Sequence, residues 1–254
     1  MSDWLTPEWA AEPQVGACAT TRAGGVSAPP WDSMNLGLGS GDDVAAVQAN
    51  RARFARAVGA TPVFLRQVHG ARCVRIDAAM AQGEPEAADA SWTSTPDVAC
   101  TVLVSDCLPV LLAAPQGRAV GAAHAGWRGL SGGVVERCAR AVCEAAACAP
   151  HELVAWLGPC IGPDAFEVGA DVLEAFGVAP QRDSRPHFRY RPRADGDARW
   201  RADLAGLARA RLSALGVQHI GGGRWCTVHE RSRFFSFRRD GVTGRMAAAV
   251  WIRR

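Results

Sequence analysis

Three apolar runs dominate the middle of the chain: VACTVLVS (98–105), PVLLAA (109–114) and AVGAAHA (119–125). They are continuous rather than alternating, the pattern of strands covered on both faces. QVGACATT (14–21), PVFLRQVHG (62–70), CVRID (73–77), LVAWLG (153–158) and MAAAVWI (246–252) read as further strands, with a turn at Gly70 between the second and third. Helical patterning is predicted in three places. Asp42 to Val58 opens on acidic residues at the positive end of its dipole, 130–147 reads as one helix despite Gly132 and Gly133, and 203–216 forms the third. Between these lie a Gly- and Pro-rich loop, TRAGGVSAPPWDSMNLG (21–37), and a polar, arginine-rich excursion over 181–201. No internal repeat or linker tract interrupts the chain, so the expected organisation is one α+β domain over residues 1–254.

Composition narrows the function classes. The 254 residues are 48% apolar, enough to bury a large core. The start, MSDWLTPEWAAEP, lacks the basic and apolar segments of an export signal, and Asp106 interrupts the longest apolar run, so a cytoplasmic protein without a membrane span is expected. Nine irregularly spaced cysteines read as reduced thiols, and the five-residue steps of Cys138, Cys143 and Cys148 rotate around a helix instead of forming one ligand face. All 28 basic residues are arginine, which excludes a lysine Schiff base or phosphate-loop lysine while leaving anion binding open. A net charge of +3 is too slight to imply nucleic acid, which is not expected as a partner. The arginine and aromatic mixture of 182–201 is the feature that a nucleic-acid-binding module would use, but Asp183, Asp195 and Asp197 dilute it.

The chemistry sits where polar residues invade apolar runs. His69, Cys107 and His124 each lie at or near the end of a predicted strand, and each ligand would come from a different strand. Two imidazoles and a thiolate suit tetrahedral zinc with a fourth position left open. Taken singly, a histidine at a strand end is usually a hydrogen-bonding or surface residue, and a cysteine in an apolar run is usually inert packing. No local ligand spacing of the HExxH or CxxC kind joins them.

The blocks ATTRAGGVS, DSMNLG, RQVHG, ADASWT, SDCLPVLL, AAHAGWRGL, WLGPCIGP, FEVG, FFSFRRD and TGRMAAAVWI, from about Ala19 to Ile252, resemble in number and order those of the laccase-domain family, also called YfiH-like. The resemblance implies a layered α/β/β/α sandwich related to a deamidase toxin domain. It implies a metal, usually zinc with copper as the alternative, on His69, Cys107 and His124, which would also be the catalytic residues. It further implies purine nucleosides and phosphate as substrates: phosphorolysis of adenosine, inosine, guanosine and methylthioadenosine, with deamination of adenosine. The alternatives are a metal-free Cys107–His124 amide hydrolase, including peptidoglycan-precursor editing, and a single-copper phenol oxidase. Six histidines without a His-x-His pair cannot assemble a four-copper laccase site. Under this reading Arg22 beside Gly24 and Gly25, Arg51 and Arg128 are candidate anion donors, and Asn35 and Gln67 are candidates for nucleoside hydrogen bonds. Asp106, expected to face away from Cys107, is assigned to orienting a neighbouring group. Glu167 is a candidate proton shuttle competing with an ordinary helix-surface role. Cys160 receives no role, and a monomer or homodimer is expected.

Overall fold

A computed structural model describes residues 4–254; the first three residues of the N-terminal segment, Met1 to Asp3, lie outside it. One sheet holds four strands in the order β1 (Val15–Ala19), β13 (Met246–Ile252), β5 (Val98–Val104) and β2 (Thr61–Phe64). A second holds six: β12 (His219–Gly222), β8 (Val154–Leu157), β6 (Leu108–Ala113), β7 (Val120–Ala125), β4 (Ala90–Thr93) and β3 (Cys73–Arg75). A third, outlying sheet joins β10 (Phe188–Tyr190), β11 (Trp200–Ala202) and β9 (Glu167–Val168). The helices are α1 (Val44–Val58), α2 (Trp127–Ser131), α3 (Val134–Ala146), α4 (Ala170–Ala175), α5 (Leu204–Leu215) and α6 (Phe237–Asp240).

The continuous apolar runs are explained by burial on both sides. Along β13, Ala248, Val250 and Ile252 enter the layer between the two large sheets, while Ala247, Ala249 and Trp251 pack outward with Phe54 and Val58 of α1. Along β6, Leu111 and Ala113 enter the same central layer, while Leu108, Val110 and Leu112 join Val135, Cys138, Val142 and Leu212 from α3 and α5. Side chains alternate across each strand, so two stacked sheets need a helix layer on each outer face. The result is the α/β/β/α order, a mixed α+β fold.

Several boundaries move from their predicted positions. The strand predicted over 62–70 ends at Phe64, because the Gln67 carboxamide then pairs with β5 itself, donating to the Leu103 carbonyl at 2.8 Å and accepting its N–H at 2.7 Å. The helix predicted over 130–147 is two, α2 and α3, because Gly133 sits at φ 88° and turns the axis. The excursion 181–201 contains β10 and the start of β11, and five of its seven arginines pair with acids: Arg185 with Asp183, Arg189 with Asp164, Arg193 and Arg201 with Glu167, Arg199 with Asp197. No described helix is long and apolar enough to cross a membrane.

Leu111 is fully buried at the centre of the inter-sheet layer. Its replacement by alanine is expected to cost about 2–5 kcal/mol of unfolding free energy, read as a lower urea midpoint at unchanged slope.

Candidate metal centre

The site grows from a buried carboxylate. Asp89, immediately before β4, has no solvent exposure. A carboxylate withdrawn from water must be fully hydrogen-bonded or it destabilises the fold. Asp89 accepts from the backbone N–H groups of Val68 at 3.1 Å, His69 at 2.9 Å and Gly70 at 2.7 Å, and lies 2.8 Å from Nδ1 of His124. The three successive amides form an anion-binding nest, and closing it holds His69 at φ 58°, a left-handed conformation uncommon for a residue with a side chain.

This bonding sets two of the candidate ligands. His124, near the end of β7, spends Nδ1 on Asp89 and keeps Nε2 for the site. The His69 ring stands edge-on to it, with centroids 4.8 Å apart and planes at 76°. Cys107 arrives in the short turn between β5 and β6, where the chain passes from the four-stranded to the six-stranded sheet. One donor atom from each of His69, Cys107 and His124 lies within 4.8 Å of the others; this is the one such three-residue group among the described residues. Only His124 lies on a strand. His69 belongs to the loop that closes on Asp89 and Cys107 to a turn, which corrects the expectation of three strand ligands.

Charge and close packing complete the centre. Burial opposes a thiolate at Cys107, but His124 and His69 outweigh it and bring the thiol down to about 6. Burial likewise opposes an imidazolium at His124, while the Cys107 thiolate and the Asp89 hydrogen bond raise it to about 9. Gly126, the residue preceding α2, has no room for a side chain: a Cβ there would meet Cys107 Sγ at 2.9 Å and His69 Cδ2 at 3.1 Å. Two imidazoles, a readily ionised thiol and an oriented second ring nitrogen are a donor set that fits zinc or copper. His69 is solvent-exposed, which leaves a side open for a reactant.

The three donors line a cavity of about 710 Å³, within the usual range for small-molecule sites. Phe64, Phe166, Phe237 and Leu38 give it apolar surface; Arg51, Arg66, Arg238 and Arg245 give it positive charge. Of the candidate substrate contacts from sequence, Arg51 and Gln67 line this cavity. Asn35 is fully buried beside it, accepting from Gly37 and Arg245 N–H and donating to Ser40 and Asp42, so it braces a loop and is absent from the cavity lining. Arg22 faces a separate concavity, where Asp32 and the Arg231 carbonyl hold it. Arg128 is exposed and stacks on Trp127 at 4.3 Å, outside the cavity.

Asp106 is in a turn rather than a strand, and its oxygens take the Thr227 and Ser236 hydroxyls and the Arg238 N–H, tying the 227–238 segment to the cavity rim. Glu167 lies on β9, not a helix, and is held by Arg193 and Arg201 outside the cavity, which removes it as a proton shuttle. Cys160 is buried, with its thiol pushed up by burial. The functional residue that sequence reasoning missed is Asp89. Its signal was a lone acid in ADASWT, one residue ahead of β4.

The chain matches the family described as multi-copper polyphenol oxidoreductase laccase over residues 16–253. A purine nucleoside phosphorylase of Pseudomonas aeruginosa is 46% identical over 252 residues, 99% of either chain. The purine nucleoside phosphorylase YfiH of Escherichia coli K12 is 45% identical over 257 residues, covering 99% of this chain and 100% of that protein. Among solved structures, Neisseria meningitidis protein NMB0706 superposes with a TM-score of 0.89 at 44% identity, over 99% of this chain and 100% of that one. YlmD from Geobacillus stearothermophilus gives 0.88 at 32% identity, over 99% and 96%.

Replacing Asp89 by asparagine removes the charge that orients His124, and metal retention is expected to weaken by about 10–100-fold, measured by competition with a chromogenic chelator. In metal-stripped protein, alkylation of Cys107 by iodoacetamide, followed by mass spectrometry of its peptide, is expected to stay fast above about pH 6 and to fall below it. The same asparagine variant destabilises the partner imidazolium and should move that inflection upward.

Proposed function

We propose that this chain, which belongs to the multi-copper polyphenol oxidoreductase laccase family, is a metal-dependent purine nucleoside phosphorylase that also deaminates adenosine. The observation that carries the reading is the His69, Cys107 and His124 donor group opening into a cavity that offers both aromatic surface and unpaired cations. A purine needs the first, and an anionic co-substrate needs the second. Relatives at 45–46% identity over nearly the full chain that are named purine nucleoside phosphorylases support the phosphorylase part of this reading.

In phosphorolysis, an oxygen of hydrogen phosphate forms a bond to ribose C1′ as the C1′–N9 bond breaks. The electron pair leaves with the purine, and the phosphate proton ends on it, giving ribose 1-phosphate and the free base. The chain's own contribution is to hold two reactants in one cavity, where Phe64, Phe166 and Phe237 offer apolar surface to the base and the arginines neutralise the phosphate. His69, Cys107 and His124 would hold zinc, with copper as the alternative, and Asp89 would keep His124 in the ligating tautomer. Such an ion supplies Lewis-acid charge beside the reacting centre and, for deamination, lowers the pKa of water. The substrates expected are adenosine, inosine, guanosine and methylthioadenosine, in the cytoplasm.

A second reading is favoured by the charge pair itself. A thiol brought down to about 6 beside an imidazole raised to about 9 is a nucleophile and acid–base couple, as a metal-free amide hydrolase requires.

Purified protein is expected to carry about one zinc per chain, and adenosine with phosphate should yield adenine and ribose 1-phosphate, with inosine arising whether or not phosphate is added. Cys107→Ala should lose the metal and both activities together. Full activity in metal-depleted protein, abolished by thiol alkylation, would select the amide-hydrolase reading instead.

A further inference from the structure

The charge around the cavity is unbalanced. Four arginines line it, and its carboxylate, Asp106, is already committed to two hydroxyls and a backbone amide. Elsewhere in the described structure many arginines pair with acids within 4 Å, including Arg22, Arg72, Arg193, Arg201 and Arg211. Among the described residues, Arg51 and Arg245 form no such pair, and the hydrogen bonds they donate go to neutral carbonyls.

These two belong to one local arrangement. Arg51 of α1 donates through Nε to the Leu36 carbonyl at 2.9 Å and stacks over the Phe64 ring at 3.9 Å, leaving both terminal nitrogens without a partner. Arg245, just before β13, accepts the Leu36 N–H on its own carbonyl at 3.0 Å and donates through Nη1 to the Thr243 and Gly244 carbonyls, leaving Nε and Nη2 free. Residue 36 therefore anchors both arginines, Arg51 through its side chain and Arg245 through its backbone. Burial lowers both guanidinium pKa values, Arg51 to about 10. Arg245 also lies within electrostatic reach of Asp106 and Cys107, beside the metal centre. The other two cations differ: Arg66 is exposed, and Arg238 is exposed at the rim, reaching the Glu167 carbonyl over the Phe166 ring.

We propose that Arg51 and Arg245 form an anion subsite that takes inorganic phosphate as the second substrate, with Arg245 on the side of the metal centre. The assignment rests on the phosphorolytic reading above. Two preset guanidinium forks with free N–H groups match the oxygens of a dianion. Orienting phosphate against C1′ is the entropy-costly part of the reaction. A nucleoside 5′-phosphate carries the same group, and binding experiments separate the two sources.

The test uses full-length, metal-loaded protein with inorganic phosphate alone, followed by isothermal calorimetry and thermal shift, and with inosine 5′-monophosphate as a separate titration. Arg51→Met and Arg245→Met are compared with Arg56→Gln, an exposed arginine on the same helix. The expected result is phosphate binding by the parent and Arg56→Gln, weakened about tenfold or more in either methionine variant, with metal content unchanged. In turnover, the KM for phosphate should rise by a similar factor while that for the nucleoside stays within about twofold. Arg245→Met also removes two loop hydrogen bonds, so its unliganded melting temperature is checked, and Arg51→Met carries the conclusion if that variant unfolds. Parent-like phosphate affinity in Arg51→Met, binding of the nucleotide but not of phosphate, or no phosphate binding by the parent overturns the subsite. Phosphate binding lost in the variants, with no ribose 1-phosphate formed by the parent, keeps the subsite and overturns the phosphorylase reading.

Discussion

The structure of the candidate centre depends on one buried negative charge. Asp89 has no access to water, and its stability requires that every oxygen lone pair be met from inside the protein. Three consecutive amides of the Val68–Gly70 turn and one imidazole nitrogen do this. The same bonds that satisfy the carboxylate fix the backbone of His69 and the ring of His124, so two of the three donors are oriented by one group that is not itself a donor. Because the His124 N–H also donates to the Asp89 carbonyl at 2.7 Å, β7 and the residue ahead of β4 are locked in register at the level of the site.

The two sheets supply the third donor and the cavity. β5 and β6 are consecutive in sequence but lie in different sheets, and the three-residue turn between them must cross the central layer's edge. Cys107 and Asp106 occupy that crossing, one directed to the histidines and the other to Thr227, Ser236 and the start of α6. Gly126 lets the opening of α2 come within contact distance of the same donors. A cleft bounded by the margins of two layers, with α1 contributing Arg51 and the residue ahead of β13 contributing Arg245, gives a site with a polar interior and apolar walls. Small-molecule sites commonly have this construction.

Much of the scaffold was legible because local period reports burial directly. The runs at 98–105, 109–114, 119–125, 153–158 and 246–252 became strands within a residue or two, and Asp43 caps α1 through Ala45 N–H as the acidic GDD start implied. Where a side chain replaced backbone pairing, the strand boundary shifted: the strand expected to run to residue 70 ends at Phe64, and Gln67 continues the sheet by holding both backbone groups of Leu103 while lining the cavity. The glycine-loop argument for Arg22 also failed, because its guanidinium finds Asp32 within the same loop. Arg245 was passed over inside TGRMAAAVWI, since the direction of its side chain is decided by how β13 meets residue 36, more than 200 positions earlier in the chain.

Hydrophobic spacing and capping chemistry act between neighbours a few residues apart, so the strands, most of the helices and the presence of polar intruders among apolar runs follow from the amino-acid order alone, and block resemblance singled out the three intruders proposed as ligands. The meeting of His69, Cys107 and His124, the role of Asp89 and the division of arginines between paired and unpaired depend on contacts across 17 to more than 200 residues. Only packing two sheets face to face decides those contacts, because a buried charge selects its partners from whatever the folded chain brings within hydrogen-bond reach.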